Sequence, residues 1–168
     1  MTISLYQISV PVFARQLGGL KAVLQLAQTH YAEKKYDETT LLGFRLFPDM
    51  LDFTMQVRIA TDHAKNCVAL LTGTPPVDLG SSEKSLADLI ARVDKALAAV
   101  NAAKQADIDA AEAKTIMVKM RDKEVPFTGL ELVQNRSMPN FYFHVTTAYN
   151  IVRHMGVEIG KRHFLNNA

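Results

Sequence analysis

PNFYFHVTTAYNIVRHMG, residues 139–156, is apolar nearly all round and carries three aromatic residues in succession. A run of this kind, in a chain that is otherwise ordinary, reads as a helix with neighbours on most of its sides. Within it stand Asn140 and His144, four residues apart. On a helix they lie one above the other on a single face. Upstream, Thr128-Gly-Leu-Glu131 matches a capping box, and Gly156 suits the position just past a helix end. The spacing therefore predicts a helix over about 129–156, bent at Pro139.

A helix buried on most sides needs companions, and the preceding chain supplies three. Residues 4 to about 33 repeat apolar positions every three or four: Leu5, Ile8, Val12, Gln16, Gly19, Val23, Leu26 and His30. Ser9 is a candidate cap beside Pro11, and Gly18-Gly19 calls for a close crossing by another element. After the polar turn and apolar knot of residues 34–47, Pro48 and Asp49 suit the start of a helix over about 48–72, closed by Gly73 and Pro75-Pro76. Along it Asp52, Gln56, Ile59, Ala60 and His63 share one side, and Arg58 pairs with Asp62 on another. A third helix, about 82–103 with Ser81 or Ser82 as cap, buries Leu86, Leu89, Ile90, Val93, Leu97 and Val100. Its outward positions are Lys84, Asp88, Arg92, Asp94 and Lys95.

The period then changes. TIMVKM and KEVPFT flank Arg121-Asp122 and predict a hairpin over about 115–128. The fold class is accordingly all-α in the main: a single domain over 1–168, a four-helix bundle with a small β-hairpin before the last helix. The tail from Val157 is expected to be partly ordered.

Composition narrows the function. The chain has 168 residues, 48% hydrophobic and 21% charged, with 19 basic against 17 acidic side chains and a net charge of +2. That balance gives no strong field for nucleic acid. No apolar run reaches the roughly 18 residues of a membrane span. Cys67 is the only cysteine, so no internal disulfide forms, and the default expectation is a cytoplasmic protein with Cys67 as a buried, inert thiol. Basic residues near Lys119–Lys123 and Arg153–His163 read as solvated surface.

Four blocks carry a family resemblance: YQISVPVF (6–13), LLGFRLFPDM (41–50), QVRIATDHAK (56–65) and PNFYFHVTTAYNIVRHMGVEIGK (139–161). The chain resembles an uncharacterised bacterial family, a domain of unknown function, within the DinB/YfiT-like superfamily of metal-binding four-helix bundles. The resemblance implies a compact bundle with a cavity at one end and, commonly, a homodimer. Members resemble three-histidine metal sites, one histidine on the second helix and a His-x-x-x-His pair on the fourth. His144, twelve residues before Gly156, matches the second histidine of that pair. Asn140 stands in place of the first, and Gln56 falls at the second-helix position.

One histidine of three remains on this alignment. Carboxamide oxygens are weak ligands, so a divalent transition metal would need carboxylate or water to complete its shell, with Asp52 one turn before Gln56 as a source. Two readings of His144 stand side by side. It is a buried imidazole bonded to Gln56, Asn140 or a tyrosine, or it contacts a metal or small-molecule ligand together with Gln56, Asn140 and Tyr149. His63 reads as packing or surface, His154 and His163 as solvated, and His30 as a cation near a helix end.

Three functions follow from these readings. The first is a small-molecule-binding protein with a degenerate metal site. The second is a metal-dependent DinB-like transferase or hydrolase with His144 as metal ligand. The third is a structural or regulatory homodimer.

Overall fold

Four amphipathic helices bury their apolar faces against one another, and two of them, the second and third, begin where a side chain accepts a free N–H of the first turn. The computed structural model describes residues 3–167. α1 spans Val10–Lys34, α3 Phe53–Thr72, α4 Leu86–Asn101 and α7 Met138–His154, with the short helices α2 (Glu38–Leu42), α5 (Gln105–Asp109), α6 (Gly129–Glu131) and α8 (Lys161–Phe164) between or after them. α3 packs chiefly on α7 and α1 on α4; α3 adjoins α4, and α1 touches α7 more lightly. The helices thus ring one core in the order α1, α4, α3, α7. Phe13, Leu17, Leu24, Phe53, Val57, Leu89, Phe141 and Ile151 fill it, all fully buried, with Phe13 and Phe141 meeting edge to face at 5.0 Å between ring centroids.

The hairpin is where the sequence places it. β1 (Thr115–Met120) pairs antiparallel with β2 (Lys123–Thr128), Val118 opposite Val125, and Arg121 takes the left-handed turn position at φ 54°. The Thr128–Glu131 capping box forms in both directions. Between α6 and α7 the chain makes a π-helical turn, Leu132–Ser137. Pro139 has no N–H to give the carbonyl four residues back and its ring crowds that carbonyl, so the preceding turn widens. The expected bend at Pro139 is therefore a wide turn just before it. Gly156, at φ 91°, sits past the end of α7 as its position suggested.

Several starts move. α1 begins at Val10, and residues 5–9 form a turn in which the Ser9 hydroxyl donates back to the Leu5 carbonyl at 2.6 Å instead of capping the helix. α3 begins at Phe53 because Asp52, not Pro48 or Asp49, accepts the N–H of Met55 at 2.9 Å. α4 begins at Leu86 because Ser85, not Ser81 or Ser82, accepts the N–H of Asp88. On α1 the expected Gln16, Gly19 and Val23 are buried, but the stripe also takes in Val10, Phe13, Leu17, Leu20, Leu24, Ala27 and Tyr31, one helical position over, which leaves Leu26 exposed.

Arg92 is the largest departure. Expected on the outer face of α4, it is only 3% exposed. Its guanidinium donates to Thr61 Oγ1 at 2.8 Å, Gly80 O at 2.8 Å, Glu83 Oε1 at 2.7 Å and Asp62 Oδ1 at 2.8 Å. Arg58 binds the other oxygen of Glu83, so the expected Arg58–Asp62 pair is divided between two different partners. Burial pushes the Glu83 carboxyl up, but hydrogen bonds from Arg92 and Arg58 more than offset this and hold it below the usual carboxylate range. The network joins α3, α4 and the loop between them.

The Gly18-Gly19 pair does mark a close approach, and the crossing element is the tail. A Cβ on Gly19 would lie 2.6 Å from the Phe164 carbonyl oxygen, whereas one on Gly18 would meet only the end of the Asn166 side chain. Two outcomes follow. Gly19→Ala costs about 1–3 kcal/mol in urea unfolding because backbone must shift, while Gly18→Ala stays near wild type. Arg92→Ala costs about 1–3 kcal/mol by removing four hydrogen bonds and leaving Glu83 to Arg58 alone, against no measurable loss for Lys95→Ala; equal losses at 92 and 95 would contradict the network.

Candidate functional site

Gln56 and His144 meet across the α3–α7 interface. Gln56 is 1% exposed, and its Nε2 donates to the Leu51 carbonyl at 3.0 Å. That bond orients the carboxamide so that its oxygen, Oε1, faces His144 Nδ1 at 2.7 Å. An amide oxygen only accepts, so Nδ1 carries the proton and Nε2 keeps its lone pair. Burial lowers the affinity of His144 for a second proton, which keeps the ring neutral. No buried polar side-chain atom among the described residues lacks a partner, and Nε2 of His144 has none within the chain, so Nε2 reaches solvent.

A second imidazole completes the arrangement. The ring of His63 lies nearly parallel to that of His144, centroids 6.2 Å apart at 13°, and Phe143 meets His144 edge-on at 5.2 Å. His63 is pushed down to about 4, first by burial and then by repulsion from His144 and Arg136. The two neutral rings are thus stacked beside each other. His63 also forms part of the wall of a cavity of about 300 Å³ between α3, β1 and the π-helical turn, together with Asn66, Cys67, Leu70, Arg136 and Ser137. Burial pushes the Cys67 thiol up to about 12, against a smaller pull from the Ser137 hydroxyl, so it stays protonated.

Of the residues singled out in the sequence, Gln56 and His144 come together and the other two stand apart. Asn140 is exposed and donates from Nδ2 to the Arg136 carbonyl at 2.7 Å, back along its own helix. Tyr149 packs edge-on against Phe164, with centroids 5.6 Å apart, on another side of α7. Asp52 is held as the cap of α3 and pairs with Arg45 at 3.4 Å. His163 accepts the Gly160 N–H at 2.9 Å and so caps α8, and His154 packs on Phe44. His63 was missed. Its signal was present, because seven residues after Gln56 it returns to the same face, but only the register of α7 puts His144 beside it.

These donors do not fit a tightly held transition metal. Gln56 Oε1 is engaged by the His144 N–H, the nearby thiol is protonated, and Asp52 is committed to its helix. Among the described residues no three His, Cys, Asp or Glu side chains are grouped to hold a metal ion. The chemistry that remains is that of two neutral imidazoles, which accept a hydrogen bond at neutral pH without carrying charge.

The family described as a domain of unknown function, DUF1993, matches residues 5–165. Among solved structures, a DinB family member protein from Shewanella denitrificans is 39% identical, covers 96% of this chain and 91% of its own, and superposes with a TM-score of 0.83. No curated protein matches the sequence. No helix among the described residues is long and apolar enough to cross a membrane.

His63 gives the site a measurable signature. It binds its proton at about 4 in the fold against 6.5 ordinarily, so the unfolded chain holds more protons between those values. The fold is at full strength above about pH 6.5 and weakens as the pH falls toward 4. In urea titrations across that window, His63→Gln is expected to show a shallower loss than wild type; parallel curves would remove His63 as a source.

Proposed function

This chain belongs to the DUF1993 family and has a DinB-like fold, and from that premise we propose that it binds a small molecule in the cavity beside the His63–His144 pair. The observation that carries the reading is the cavity itself. It is about 300 Å³, at the lower end for ligand sites, and is lined by both polar and apolar groups. Of the pair, His63 lines the cavity, and His144, held in one tautomer by Gln56, stacks on His63 from outside it. A side chain backed in this way favours recognition, because its orientation is fixed before a ligand arrives.

In this reading the site is a degenerate metal centre, in which carboxamides stand where the superfamily's other histidines would be. The homodimer suggested by the resemblance belongs to the same proposal. Its candidate contacts are Tyr142 and Leu165, exposed beside Pro11 and Val12 in a shallow groove between α1, α7 and the tail. A buried, protonated Cys67 is compatible with a reducing cytoplasm.

Elemental analysis of purified protein tests the metal half of the proposal: well under one transition-metal ion per chain is expected, and a stoichiometric metal lost in His144→Ala would contradict it. Crystals soaked in a mixture of small organic fragments test the other half. Density is expected against His63 and Leu70, and occupancy confined to other grooves would contradict it.

A further inference from the structure

Both charged groups that line the cavity are cations. Arg136 and Lys119 both line it, and no carboxylate does. The ion pairs of the described residues lie elsewhere, on Lys21, Arg45, Arg58, Lys65 and Arg92, so neither cavity cation has an anionic partner among those residues. Asn66 also lines the cavity. Its oxygen already accepts from Lys65 Nζ at 2.9 Å, which leaves its N–H groups to donate. His63 is neutral and supplies no counter-charge, and Arg136 is close enough to repel a proton from it. Ala69, Leu70, Val118 and Pro76 supply the apolar part of the lining.

Resting on the small-molecule reading above, we propose that the ligand of this cavity is a small carboxylate with an apolar body. Its carboxylate meets Arg136 and Lys119, and its apolar part lies against Leu70 and Val118. A planar guanidinium matches a carboxylate with two parallel hydrogen bonds, and charge-assisted bonds of this type are about twice as strong as neutral ones. The alternative anion, inorganic phosphate, would leave the apolar part of the lining without a partner. A neutral ligand would leave the charges of the half-buried Arg136 and the exposed Lys119 without a counter-charge.

Benzoate, its neutral isostere benzamide, and inorganic phosphate, each titrated into the ¹⁵N-labelled full chain, decide the matter. Benzoate is expected to shift the amides of Ala69, Leu70 and Val118 saturably, with benzamide about tenfold weaker or more. Arg136→Gln, and separately Lys119→Gln on the hairpin, are each expected to weaken benzoate by about tenfold while leaving benzamide unchanged; the same spectra report whether each variant is folded. Benzamide binding as tightly as benzoate, or benzoate indifferent to both substitutions, overturns the charge assignment and leaves the small-molecule reading standing. Phosphate binding more tightly than benzoate overturns the carboxylate. If neither ring compound shifts the cavity amides, this proposal and the small-molecule reading fall together.

Discussion

Gln56 has one donor group and one acceptor group inside the bundle, and each has a single partner: Leu51 takes the N–H and His144 gives the other hydrogen bond. A buried carboxamide satisfied on both sides cannot rotate without losing both bonds, and each loss would strand a polar group in an apolar interior. This constraint reaches outward in both directions. Toward the loop it ties the chain before Asp52 to the first turn of α3. Toward α7 it sets the rotation and height of a helix that is otherwise apolar on nearly every side and so has little else to fix its register. The stacking of His63 on His144, and the neutrality of both, follow from that placement.

The same bundle handles its cations in two contrasting ways. On the α3–α4 side Arg92 is buried and every direction of its guanidinium is occupied, by a hydroxyl, a carbonyl and two carboxylates. Such a set is structural: it is complete within the chain and has nothing left to offer a ligand. On the hairpin side Arg136 and Lys119 border open space with donors unused. The DinB-like scaffold thus carries one closed cation network and one pair of cations that borders a cavity.

Much of the fold was legible because apolar stripes, capping residues and turn glycines are local signals. The hairpin, the Thr128–Glu131 box, the end at Gly156 and the four helices all rest on residues within a few positions of one another. The helix starts were read less well, since Pro48 and Ser82 are as good on paper as Asp52 and Ser85. The site was legible only in half. Gln56 and His144 were paired, but Arg92 and His63 owe their roles to partners far along the chain. Asn140 turns back because the widened turn presents it with the Arg136 carbonyl. Tyr149, five residues after His144, is rotated by about 140° from it around the helix and so meets the tail instead.

The state of one ring therefore carries the account. Two-bond ¹H–¹⁵N correlation of the His144 imidazole, recorded at neutral pH, reads which nitrogen bears the proton. The structure predicts a neutral ring protonated on Nδ1, with Nε2 as the unprotonated nitrogen. A ring protonated on Nε2 alone would mean that Gln56 does not hold it, and the site built on that bond would not exist in solution.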